Sequence, residues 1–172
     1  MWINLKAYDV DDQMLQEYGA YNLLTGQLTY DTKVYEVKQG LTTELAEVLH
    51  KVGGESFHFV LNNTVVKDNR IPPYGFTQEA YNRPGLRPVG VTYNDYQNWD
   101  DTEFVLPGEV ARVEVLLYYQ TASKEYVDFL RANGGVDGLA LGQLWEVLKS
   151  TPQIVARAYY PSYPVFFPMI AR

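Results

Sequence analysis

The sequence predicts a mainly β fold: an antiparallel β-sandwich with one short internal helix and two short helices near the C-terminus. Three observations carry this. Residues 111–120 alternate with period two, placing Val113, Val115, Leu117 and Tyr119 on one face and Arg112, Glu114, Leu116 and Tyr118 on the other. Fifteen tyrosines and nine prolines favour strands and loops over a helix bundle. Turn signals such as Asp11-Asp12, Thr25-Gly26 and Pro107-Gly108 cut the chain into pieces of strand length. At 172 residues the chain reads as one domain, 1–172, with about 151–172 forming an aromatic, proline-rich arm.

Taken in order, Trp2 to Tyr8 is a strand, Asp9 to Gln13 a turn, and Met14 to Tyr21 the returning strand. Lys33 to Gln39 alternates less regularly and is a further strand. Thr42 caps a short helix carrying Leu45, Val48 and Leu49 on one stripe, and Gly53-Gly54 is expected to end it. Phe57 to Val65 then alternates as a strand, with Phe57, Phe59 and Leu61 on one face.

The segment Lys67-Asp68-Asn69-Arg70-Ile71-Pro72-Pro73-Tyr74-Gly75-Phe76 carries too many constraints for a linker. Pro72 and Pro73 fix their own φ and push the preceding residues out of the helical region. Gly75 then permits a turn before Phe76 drops inward. Arg70, between Asp68 and a facing acid, is expected to tie the segment to the body of the protein.

Residues 77–102 read as a long loop, and Glu103 to Leu106 as a short strand. Ser123 caps a helix with Tyr126, Phe129 and Leu130, ended by Asn133-Gly134-Gly135. A second helix spans about Leu139 to Lys149, and Thr151-Pro152 forbids its continuation. The tail Tyr159 to Pro168 holds five tyrosine and phenylalanine rings in close succession with three prolines, and reads as an extended arm lying on an apolar surface.

Composition narrows the function classes. A net charge of −7 without a basic block argues against nucleic acid and anionic membranes as partners. No apolar run approaches a membrane span, so membrane insertion is not expected. There is no cysteine, which removes disulfides, thiolate metal sites, thiol nucleophiles and covalent haem attachment from this chain. The first residues lack the pattern of a signal peptide, so the chain reads either as cytoplasmic or as the mature part of an exported protein.

The candidate sites are few. His50 and His58 would need to meet near carboxylates to hold a metal; a surface histidine and a sheet-face histidine is the simpler reading. Asp9, Asp11 and Asp12 fail the calcium-loop pattern, because Met14 and Ala20 stand where a glycine and a glutamate are needed. Asp95, Asp100, Asp101 and Glu103 form a better oxygen cluster on a loop, and calcium is the one cofactor they suggest. Nothing fixes two carboxylates at a hydrolase separation, and serine-elbow, phosphate-loop and dinucleotide fingerprints are missing. No catalytic residue is assigned, and the chain reads as a non-enzyme.

Several motifs point to a resemblance. Trp2-Ile3-Asn4-Leu5, Glu17-Tyr18-Gly19, Val34-Tyr35-Glu36, Asn69-Arg70-Ile71-Pro72-Pro73-x-Gly75-Phe76, Trp99-Asp100-Asp101 and Leu117-Tyr118-Tyr119-Gln120-Thr121-x-Ser123-x-Glu125-Tyr126 occur in this order. Over about residues 2–150 the chain resembles the C-terminal, haem-free β domain of bacterial exported multihaem c-type cytochromes. That resemblance implies a non-catalytic accessory or interaction domain, periplasmic or extracellular, in an electron-transfer setting. Its implied partner is a haem-bearing cytochrome domain or protein. Its structural motif falls on Asp68, Asn69, Arg70, Pro72, Pro73, Gly75 and Phe76. The chain has no C-x-x-C-H motif, so electron transfer is carried to no residue here. It also lacks the G-H-x-x-P-T-G stretch that precedes the first strand in the resembling proteins, which suggests a fragment of a longer chain. The alternative from the residues alone is a carbohydrate-binding or calcium-stabilised surface module. By the resemblance, chain that would precede and cover the strand of Trp2 and Ile3 is missing, so an uncovered strand, with a homodimer around it or the tail laid across it, is expected.

Overall fold

A computed structural model describes residues 1–148 and 151–161. Among them are seven strands in two antiparallel sheets and four helices, a β-rich fold as the alternation predicts. The chain divides into two compact units, one of residues 1–33, 104–121 and 148–172, the other of 34–103 and 122–147.

The first unit holds a four-stranded sheet. Its strands are β1 (Trp2–Tyr8), β2 (Met14–Tyr18), β6 (Arg112–Tyr119) and β7 (Gln153–Tyr160), in the order β2-β1-β6-β7. Leu5, Ala7 and Val113 form a core against which Tyr18, Phe104, Leu106, Val110 and Val115 pack. Phe104 and Leu106 serve this core outside any ladder, so the expected strand at Glu103 to Leu106 is absent. Trp2 is 3% exposed and lies between the rings of Tyr21 and Tyr118, at 5.8 and 5.4 Å. Buried Asn4 donates through Nδ2 to Glu17 Oε1 at 2.8 Å, Tyr18 O at 3.0 Å and Gly19 O at 3.1 Å. One amide thus gathers the end of β2. Gly19 follows at φ +66°, where a Cβ would sit 2.1 Å from Ile3 O.

Two expectations are corrected here. β1 is paired on both sides, to β2 and β6, so the N-terminal strand is interior and the premise of an uncovered first strand falls. The arm begins as a regular strand, β7, laddered on β6 from Tyr119↔Gln153 to Val113↔Tyr160. The rest of the expected arm, 162–172, lies outside the described residues, as do Lys149 and Ser150.

The second unit holds β3 (Val37–Leu41), β4 (Gly54–Glu55) and β5 (Thr64–Asp68), in the order β4-β3-β5. Helix α1 (Thr43–Leu49) starts as predicted, with Thr42 Oγ1 accepting from Leu45 N–H. It ends earlier than predicted. His50 turns left-handed at φ +52°, and Lys51 N–H closes on Ala46 O at 2.9 Å. A one-turn helix, α2 (Gln78–Tyr81), lies in the long loop. Helix α3 (Lys124–Asn133) has its predicted Ser123 cap, and α4 (Gly135–Leu148) follows directly after Gly134. Arg131 of α3 donates to Gly142 O at 2.7 Å and Glu146 Oε1 at 3.0 Å of α4.

The strand expected at Phe57 to Val65 gives way to a turn and a later strand, β5. Rings explain the change. Phe57 packs on Tyr126 and Phe129 of α3 at 5.5 and 5.6 Å, and Phe59 on Tyr126 at 5.3 Å, so both join one cluster with His58, which a regular strand would have put on the opposite face. Asn62 Nδ2 donates to Ser56 O at 2.8 Å, and Asn63 Oδ1 accepts from Thr42 N–H at 2.9 Å. Such side-chain bonds compete with a ladder and fix the turn.

Candidate functional site

The segment that the sequence singles out, residues 67–76, lies wholly in the second unit. It starts as the end of β5, where Asp68 exchanges both backbone bonds with Val89 at 2.9 Å. The side chains then divide the labour. Lys67 Nζ donates to Glu36 Oε1 at 2.8 Å. The buried Asp68 carboxylate accepts from Arg70 Nε at 2.9 Å, Arg70 Nη2 at 2.6 Å and Arg70 N–H at 3.2 Å. The partner acid of Arg70 is therefore Asp68 itself, two residues back.

Asn69 makes the tie that sequence reasoning missed. Its Oδ1 accepts from Glu36 N–H at 3.0 Å and its Nδ2 donates to Val34 O at 2.7 Å. A side-chain amide so placed imitates a strand neighbour. It holds residues 34–36, which explains why the predicted Lys33 to Gln39 strand starts only at Val37. The backbone O of Asn69 accepts in turn from Tyr93 OH at 3.1 Å. Asparagine is common in turns, so its residue type alone gives no signal for this clip.

Beyond Arg70 the chain passes, outside any helix or strand, through buried Pro72 and exposed Pro73. Phe76 N–H closes a turn on Pro73 O at 3.1 Å, with Gly75 at φ +81°. Phe76 is 2% exposed and meets the Tyr81 ring at 4.9 Å. Tyr74, at the tip of the turn, is 92% exposed, and Ile71 stands partly in solvent.

Burial would raise the Asp68 carboxyl, but the Arg70 hydrogen bonds and charge outweigh it and hold it below the ordinary range. Burial pushes the Tyr93 phenol up, helped by the nearby charge of Asp100. An ion-paired carboxylate kept charged is a poor proton donor at neutral pH. The arrangement therefore fixes backbone.

The four candidate calcium ligands take separate roles. Asp95 Oδ1 accepts from Gln78 N–H at 2.7 Å, at the start of α2. Asp100 Oδ2 accepts from the buried Tyr35 OH at 3.0 Å. Asp101 and Glu103 are exposed. Among the described residues no group of three or more histidines, aspartates or glutamates is placed to hold a metal ion. His50 is the α1 cap, and His58 stands edge-on to Phe129 at 5.0 Å. Among the described residues no helix is long and apolar enough to cross a membrane.

Comparison of the chain with protein-family models, with curated proteins and with solved structures gives no match.

Proposed function

We propose that the chain is a non-catalytic accessory domain, periplasmic or extracellular, that docks on a haem-bearing cytochrome partner. The sandwich arrangement of its strands is part of this proposal. The observation that carries it is how the densest motif spends its polar groups: Asp68, Asn69 and Tyr93 all bind their own unit. A motif that builds a rigid turn and leaves Tyr74 at its tip suits a docking surface better than a reaction centre.

The test is purification of a tagged chain from its native source, with haem absorbance followed in the eluate. A c-type haem chain co-eluting in fixed proportion, and lost with Tyr74→Ser, is the expected result. Haem-free material, together with no neighbouring reading frame rich in C-x-x-C-H, would overturn it. Because Tyr74 is so exposed, its substitution leaves stability within about 0.5 kcal/mol.

A second reading, a carbohydrate-binding surface, is favoured by Tyr96 and Trp99. Both rings are exposed on a loop pinned by Asp95, with Tyr96 held at φ +66°. A glycan array decides it: binding abolished by Trp99→Ala supports the reading, and silence of the wild type removes it.

A further inference from the structure

The chain is acidic as a whole, yet one depression in the second unit has no acid in its wall. It measures about 460 Å³ and is lined by Gln39, Asn62, Asn63, Asn82, Arg83 and Arg87, with small and apolar residues between them. That volume falls within the range of small-molecule sites and far exceeds the ~30 Å³ of a water.

The arginines are brought together by local backbone. Arg83 N–H bonds Tyr81 O at 2.7 Å, and Leu86 N–H and Arg87 N–H both bond Arg83 O, at 3.1 and 3.4 Å. One turn of chain so formed sets two guanidiniums four residues apart on the same wall. Three other arginines hold acids: Arg70 holds Asp68, Arg112 holds Asp12 and Arg131 holds Glu146. Arg83 and Arg87 have no carboxylate partner among the described residues, although 21 acids stand in the chain. Like charges at this spacing repel, and a bound anion reverses the sign of that interaction. Each planar guanidinium also offers a fork of donors suited to carboxylate or phosphate oxygens.

The rest of the lining is polar and partly fixed. The Asn62 amide is anchored on Ser56 O at 2.8 Å, and Asn63 on Thr42. Gln39 and Asn82 make no side-chain hydrogen bond among the described residues, so their amides are free to meet hydroxyl or carbonyl groups.

We propose that this depression binds a small organic anion carrying two acidic groups, carboxylate or phosphate, on a polar skeleton. Arg83 and Arg87 each take one acidic group, and the amides of Gln39 and Asn82 take the skeleton. The site is separate from Tyr74, so it stands or falls independently of cytochrome docking.

Isothermal titration calorimetry with citrate and with pyrophosphate, at matched ionic strength, tests it on the full chain. Saturable binding of citrate alone assigns a carboxylate ligand, of pyrophosphate alone a phosphate ligand, and of both the shared oxyanion chemistry. Arg83→Gln and Arg87→Gln should each weaken binding roughly tenfold or more, the loss of one charge-assisted contact, and Arg→Lys should restore part of it. Both arginines are exposed, and circular dichroism of each variant separates lost binding from lost fold. No saturable binding of either anion below about 10 mM, or folded glutamine variants that bind like wild type, would overturn the proposal.

Discussion

Replacing Asn69 gives the sharpest test of how the second unit is held. Asn69→Ala removes the donor to Val34 O and the acceptor for Glu36 N–H, which stand at 2.7 and 3.0 Å. Both backbone groups are only partly buried, so water recovers some of the loss. Charging each orphaned group about 1–1.5 kcal/mol gives about 2–3 kcal/mol in all. For a chain of this size that lowers Tm by roughly 5–10 °C. Asn69→Asp is the more telling change. It keeps the acceptor for Glu36 N–H but sets a carboxylate oxygen against the Val34 carbonyl, where Nδ2 now donates. The repulsion disfavours the charged form in the folded state and raises its pKa there. The penalty is therefore full at neutral pH and shrinks as the pH falls through that raised value. Urea melts at pH 7 and near pH 4.5 read this directly: Asn69→Asp should recover on acidification, and Asn69→Ala should not. If Asn69→Ala stays within about 0.5 kcal/mol of wild type, or if Asn69→Asp is no worse at pH 7 than at pH 4.5, the clip is not what orders residues 34–36.

Five other substitutions probe the two units. Arg70→Ala strips a buried carboxylate of its partner, but the Arg70 side chain is 58% exposed. Water screening brings the cost to about 1–2 kcal/mol, below that of a fully buried pair, and a denaturant melt checks it. Because the Asp68 pKa is depressed by that pair, its stabilisation is present above the ordinary value of 3.8 and is lost as the pH falls through the lower folded value. The acid limb of wild type should be steeper than that of Asp68→Asn. The raised Tyr93 pKa acts at the other end, its contribution being full below the ordinary value of 10.0 and lost as the pH rises through the folded one. Tyr93→Phe should cost about 1 kcal/mol at pH 7 and flatten the alkaline limb. Finally, Gly19→Ala meets Ile3 O at 2.1 Å at a left-handed φ, whereas Gly75→Ala meets nothing within 4 Å. Thermal melts should show a loss above about 3 kcal/mol for the first and about 1 kcal/mol for the second.

Period-two alternation made β6 legible as a strand, although burial does not follow it: Val113 is buried on one face and Leu116 on the other, and β1 likewise buries Trp2 and Asn4 on one face and Leu5 and Ala7 on the other. Local chemistry likewise marked the start of α1 and α3, where a threonine and a serine accept from the third residue on. Phe57 to Val65 misled because an apolar alternation does not say which partner the rings will meet, and here it is α3. The motif at 67–76 was visible through its prolines, glycine and charges. Its reach to residues 34–36 and to Tyr93 was not, since those contacts depend on tertiary placement. Arg83 and Arg87 looked like punctuation beside Pro84 and Pro88, and only the folded chain shows them lining one depression.

The interior place of β1 sets an order in which the molecule can be built. Of the four strands of its sheet, β1 and β2 are made before the others, and its other neighbour, β6, follows only after residues 19–111, ahead of β7. A lone hairpin is at best marginally stable in water. Until β6 arrives, Trp2 lacks the Tyr118 ring and Leu5 lacks its Val115 partner across the ladder. The three-stranded sheet, drawn from the contiguous span 37–68, has no such wait and a smaller loop-closure cost. We therefore expect nascent chains to gain β3 and β5 while β1 still presents an apolar face to whatever holds unfinished protein. Pulse-labelled hydrogen exchange during refolding would show it as protection of Gln39 and Val65 ahead of Leu5 and Val115. Simultaneous protection of all four would instead mean that the two sheets form in one cooperative step.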